Sequence, residues 1–241
     1  MDWGSFNRSS QLLNELAGHK YKFGIFFLLL AASAVSVAMA LFRMTRSDTL
    51  NYRFLVWNLL LAWIPFVFAA IAYASAVTRK PIMYIVIFGC AIAWLAFFPN
   101  APYILTDFQH LAATDGNIPV WFDVILLIWF AWTGLLLGIV SLYLMQDIVN
   151  RWIHPAAGWL FAIVVIGLSS FGIYLGRFGR WNSWDLWQRP KEVMRDVYDV
   201  VRHPRANLSV LGFTLIFTIF FIFIYLAIYF IGKLMSERQK K

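Results

Sequence analysis

Two short stretches of this sequence group side chains suited to acid–base, hydrogen-bonding or anion-binding chemistry. The first, residues 98–111, reads FPNAPYILTDFQHL and contains neither Lys nor Arg. Pro99 and Pro102 interrupt regular helix there, since each removes a backbone donor and crowds the preceding turn. Carbonyl groups and the Asn100 amide are thereby freed beside Tyr103. Thr106, followed three residues later by Gln109, matches a capping box, so a short helix is predicted from Asp107 onward. On it Asp107 and His110 lie at i and i+3, on one face. A carboxylate and an imidazole so placed suit acid–base work or, with Asp123 as a third ligand, a divalent metal.

The second stretch, residues 177–185, reads RFGRWNSWD. Arg177 and Arg180 sit three apart, next to Trp181, Asn182 and Asp185. Guanidinium groups bind phosphate or carboxylate through paired donors and stack on aromatic faces. The candidate site therefore has Asp107, His110 and Asp185 as acid–base residues. Asn100, Tyr103, Arg177, Arg180, Trp181 and Asn182 are its substrate contacts, and Asp107, His110 and Asp123 its metal ligands. The same residues also fit two simpler roles. The arginines can reach from an aromatic belt to lipid head groups, or Asp–Arg pairs can brace the end of a helix bundle. There is no HExxH motif, no serine-hydrolase elbow, and Cys90 is the only cysteine; beyond the possible divalent metal, no cofactor follows from the sequence.

The elements that position these residues follow from composition. The chain has 241 residues, 61% of them hydrophobic and 13% charged, with mean hydropathy +0.70. Soluble domains carry roughly 25% charged residues, so a water-soluble fold is excluded. Aromatics at 19% exclude a disordered chain. The class that remains is an all-α polytopic membrane bundle of about six transmembrane helices with short interfacial helices. Windows near the roughly 20 residues needed to cross a bilayer lie at about 23–42, 54–77, 81–98, 124–144, 156–176 and 210–231. The first is too long for a cleaved signal segment. None contains Asp, Glu, Lys, Arg or His, which argues against ion-coupled transport. Asn58 reads as an interhelical hydrogen bond, and the pairs Gly134/Gly138 and Gly172/Gly176 as close-packing surfaces.

Around a single transmembrane domain, 23–232, residues 1–22 form an amphipathic or interfacial segment and 233–241 a basic tail. Residues 190–203 have the pattern of an amphipathic helix at the membrane surface, supported by an Arg195–Asp199 pair. Six crossings put both termini on one side and both polar stretches on the other. Lys and Arg divide evenly between the two faces, so they do not set the orientation. The termini are assigned to the cytoplasm because the arginines after the fifth span are reserved for function. The net charge of +8, spread over both faces, suits the lipid bilayer and its anionic head groups rather than nucleic acid. A membrane-protein partner is also compatible.

The stretches FPNAPYILTD and R-x-x-R-W-N-S-W-D resemble two signatures of a bacterial family of multi-pass membrane proteins defined only as a domain of unknown function. The resemblance runs from about the second span through the sixth. It implies a bacterial plasma-membrane protein and supplies no activity, cofactor or substrate. The residues themselves suggest a membrane-boundary enzyme acting on a phosphate- or carboxylate-bearing, lipid-like substrate. A transporter and a non-catalytic accessory or scaffold subunit of a membrane complex are the alternatives.

Overall fold

The computed structural model describes residues 3–47, 52–78, 81–113 and 118–238. Side chains are described from Phe23 onward, apart from those of residues 47, 77, 112, 113 and 238. The amphipathic pattern expected of residues 1–22, and the end of the basic tail, lie outside the described side chains. The described residues form helices and turns, with no strand among them.

Six helices are long and apolar enough to cross a membrane. They are α1 (Trp3–Ser47), α2 (Arg53–Thr78), α3 (Pro81–Phe97, whose span runs on to Leu111), α5 (Val120–Trp152), α6 (Pro155–Arg177) and α9 (Leu208–Arg238). The polytopic helical bundle read from composition is therefore the observed fold. Short helices α4 (Asn100–Tyr103), α7 (Asp185–Gln188) and α8 (Pro190–Arg202) complete it. At its centre is α5, with 56% of its most apolar window buried, against 11% for α9 at the periphery. Helix α2 packs on α3 and α5, while α6 packs on α5 and α9.

The helices run past the apolar windows. The third span continues through α4 into a 3₁₀ segment, Ile104–Ala113, and so contains Asp107 and His110. At 33 residues α5 is about 50 Å long, which brings Asp123, Asp147 and Arg151 into it. The expectation that no ionisable group lies within a span is thus corrected. Pro99 and Pro102 do not end helical structure; they tighten it. Pro102 has no N–H, and the chain instead bonds from Ala101 N to the Phe98 carbonyl (3.2 Å) and from Tyr103 N to the Pro99 carbonyl (3.0 Å). The predicted capping box is also absent: the Thr106 hydroxyl donates back to the Tyr103 carbonyl at 2.7 Å.

Both glycine pairs receive this tightened segment. A Cβ on Gly134 would lie 2.7 Å from the Ala101 carbonyl oxygen, and one on Gly172 would lie 2.9 Å from Pro99 Cγ. Gly138 faces Ala101 and Gly176 faces the Tyr103 ring, each at 3.3 Å. The small residues of α5 and α6 therefore form a slot that places residues 99–104 between the two helices.

Candidate functional site

Two buried ion pairs stand near the membrane face opposite the termini. In the outer one, Arg43 at the end of α1 donates to Asp123 at the start of α5, from Nε at 2.6 Å and Nη2 at 3.1 Å. The two side chains are 1% and 0% exposed. The guanidinium lies over the Tyr52 ring, 5.0 Å from its centroid. Burial, aided by the Asp123 charge, pushes the Tyr52 phenol up to about 12.

The inner pair joins the two sequence stretches. Arg177, the last residue of α6, donates to Asp107, and its Nε also donates to the Thr106 hydroxyl at 2.8 Å. Asn58 of α2 donates from Nδ2 to the other Asp107 oxygen at 2.9 Å. Asn58 lies six residues beyond Tyr52, so this cluster is about 9 Å deeper along α2 than the outer pair. The Arg177 guanidinium caps the Tyr103 ring at 4.4 Å. Arg177 Nη1 comes within 3.4 Å of His110 Nε2, and because a guanidinium can only donate, that nitrogen accepts in the contact. His110 is held from its other side by the Phe54 ring, with centroids 4.6 Å apart.

The second stretch leaves α6 through a left-handed turn. Arg180 has φ 58°, and the Trp181 N–H closes on the Leu175 carbonyl at 3.2 Å. That closure spans seven residues, one more than the Schellman pattern, and puts an arginine in the left-handed conformation glycine usually takes. Asp185 then accepts from the Asn182 backbone N–H (2.7 Å) and from Arg189 Nη2 (2.8 Å). These bonds, the backbone one foremost, hold its carboxyl below the usual carboxylate range and raise Arg189. Trp181 Nε1 donates to Asp196 of α8 at 2.8 Å, and Arg189 stacks on the Trp181 ring at 4.9 Å. Asp199 bonds to His203 (3.1 Å) instead of the expected Arg195, as the helix end turns His203 back over its last turn.

The candidate residues thus divide into three groups. Asp107, His110, Arg177 and Tyr103 come together. Asn100 joins the second stretch by donating from Nδ2 to Ser183 Oγ at 2.8 Å. Asp185, Asn182 and Trp181 build the connection to α8, while Arg180 is exposed with its side chain outside these networks. Asp123 is taken by Arg43, so the three metal candidates do not converge. Among the described residues no three of His, Cys, Asp and Glu gather as ligands. Asp107 is held by Arg177 on one oxygen and Asn58 on the other, an arrangement suited to bracing the end of the bundle.

Sequence reasoning passed over Arg43, Tyr52, Thr106 and Arg189 as partners. It read Asn58 as an interhelical hydrogen bond, and the structure supplies the partner, Asp107.

Beside the inner pair lies a groove of about 660 Å³ between α2, α3 and α6, roofed by α7 and α8. Asn58, Asn100, Tyr103, Asn182 and Ser183 line one end. Apart from Ser169 on α6 the rest is largely apolar, and no charged side chain lines it. Ile92 and Leu95 on α3 and Leu168 on α6 border the groove and are 40–52% exposed, so it opens sideways toward the hydrocarbon. From α8, Val193, Met194 and Val197 face it.

Fold and site define a six-span integral membrane protein with a buried polar cluster at one end and a lateral groove. A family model described as a protein of unknown function, DUF1361, matches residues 57–227. That is more than half of the chain, which belongs to this family. No curated protein and no solved structure matches it.

Proposed function

We propose that this protein binds a lipid-like amphiphile in the lateral groove, its tail along α3 and α6 and its head at the Asn58–Asn100–Ser183 end. The observation that carries this reading is the groove's uneven polarity: five of its hydrogen-bonding residues, Asn58, Asn100, Tyr103, Asn182 and Ser183, belong to or adjoin the two sequence motifs, Ser169 stands apart, and its apolar walls open to the bilayer. Small-molecule sites have this composition, mostly apolar with a few convergent polar groups. The setting implied by the motif resemblance is a bacterial plasma membrane. Chemistry on a phosphate- or carboxylate-bearing head would need an arginine free to hold it. Arg177 and Arg189 are both engaged by carboxylates, and the exposed Arg180 does not line the groove, which favours binding over catalysis.

Reconstitution into bilayers containing a small fraction of lipid with a brominated acyl chain tests the reading. Trp57 and Trp187 line the groove, so their fluorescence should be quenched by the brominated lipid in a saturable way. Leu168→Trp, which fills the apolar wall, should weaken access while leaving the helical content unchanged. Quenching that only tracks the bulk bromine fraction in the wild-type protein would overturn the proposal.

A further inference from the structure

We infer that the polar end of the groove selects an uncharged, hydroxyl-bearing head group of the glycerol or sugar kind; this rests on the groove being occupied by an amphiphile.

The orientation of three asparagines carries the inference. An amide can present either its NH₂ or its oxygen, and only the hydrogen-bond network decides which. Here each NH₂ is engaged by an acceptor that cannot donate. Asn58 Nδ2 donates to the Asp107 carboxylate at 2.9 Å, and Asn100 Nδ2 to the Phe97 carbonyl at 2.9 Å. Asn182 Nδ2 is directed at the Asp185 carboxylate at 3.3 Å. All three amide oxygens are therefore left over, and none makes a bond to a described residue. Those of Asn58 and Asn100 are not among the sealed, unpartnered atoms of the interior, so they are open to an occupant of the groove. Around them stand the Tyr103 and Ser183 hydroxyls. With the second N–H of Asn58 and of Asn182 also open, these acceptors and hydroxyls ask for a ligand that both donates and accepts hydrogen bonds.

Charge narrows the class from both directions. An anionic head would find no open guanidinium lining the groove's polar end: Arg177 is bound to Asp107, Arg189 to Asp185, and the exposed Arg180 is not among the lining residues. A cationic head would find no free carboxylate, since those are the same two aspartates. One face of two rings at this end is also covered, Tyr103 by Arg177 at 4.4 Å and Trp181 by Arg189 at 4.9 Å. A site whose lining carries no charge and whose open groups both accept and donate suits neutral hydroxyls, which do the same.

The test uses the full-length protein in detergent and four probes with one shared brominated tail: a monoglyceride, its phosphate ester, a trimethylammonium analogue, and the glyceride with both hydroxyls methylated. Quenching of the groove tryptophans reads binding. The monoglyceride should reach half-quenching at a concentration about tenfold below each of the other three, since a buried acceptor left without its donor forfeits that order of affinity. Asn100→Leu should remove the preference. Should that variant fail to fold, Asn182→Ala, on an exposed residue, should reduce it about threefold by loss of a single hydrogen bond. Equal or tighter binding of the phosphate, ammonium or methylated probe overturns the head-group inference and leaves the groove intact. No saturable quenching by any probe removes the groove reading itself.

Discussion

The two buried ion pairs use the same chemistry about 9 Å apart along α2 and differ in what surrounds them. Arg43 and Asp123 are sealed, with an aromatic ring on the guanidinium and no cavity alongside. Arg177 and Asp107 are 9% and 1% exposed, and each also holds a neutral polar residue, Thr106 or Asn58. Of these, Asn58 reaches the groove. The outer pair ties α1 to α5 and holds the Tyr52 ring against its guanidinium. The inner pair neutralises itself and, in doing so, fixes the orientation of the groups an occupant would meet. A buried salt bridge can thus act as a scaffold for uncharged recognition, with its ions withdrawn from the ligand.

The largest effect should come from breaking the outer pair on one side. Arg43→Ala leaves the Asp123 carboxylate buried and uncompensated, and should cost about 3–5 kcal/mol in unfolding free energy. The paired replacement Arg43→Met with Asp123→Leu should recover most of that loss, because apolar residues of similar volume often equal a buried pair. Thermal melts in detergent read both variants. If the double variant stays as unstable as the single one, the outer pair is more than a brace and the contrast with the inner pair fails.

The same apolar replacement at the inner pair, Arg177→Met with Asp107→Leu, should not be rescued in this way. Asn58 would lose the acceptor of its NH₂ and Thr106 its guanidinium partner, at about 1–3 kcal/mol for each buried group orphaned. The Asn58 amide would also be free to rotate, so groove-tryptophan quenching by the brominated probes should weaken even where the bundle stays folded. Stability and quenching both at wild-type level would make the two pairs equivalent.

How much of this could be read from the sequence depended on what set each feature. The six spans, and the meeting of the 98–111 and 177–185 stretches on one face, follow from apolar length and an even number of crossings. The ends of the helices did not follow. Asp107 and His110 belong to the third span because Gly134 and Gly172 admit residues 99–104 between α5 and α6, a matter of packing that no local pattern records. Arg43 resembles any cation flanking a span, and nothing near it points eighty residues ahead to Asp123. The pairing of Asp107 with Arg177 was legible only as one of several possible roles. What distinguished bracing from catalysis was the distance between them and the second partner, Asn58.

The connection to α8 is the weakest of the three charged links. Arg189 is 49% exposed, and its bond to Asp185 spans only four residues, so solvent screens it. Asp185 nevertheless ties the Asn182 backbone to the start of α8 and so sets how this helix lies over the groove. Its carboxyl is held below the ordinary carboxylate value of about 3.9, so its contribution is present above that value and is lost as pH falls through the lowered one. Between neutrality and mild acid the cover should stay closed, and only strong acid should release it. Asp185→Asn reproduces the uncharged state at neutral pH. Amide exchange should then quicken in residues 190–202 and remain slow in α5 and α6, with little change in the melting temperature. Unaltered exchange in α8 would mean that Val193, which is buried, holds the cover by apolar contact alone, and that of the charged links only the inner buried pair shapes the groove.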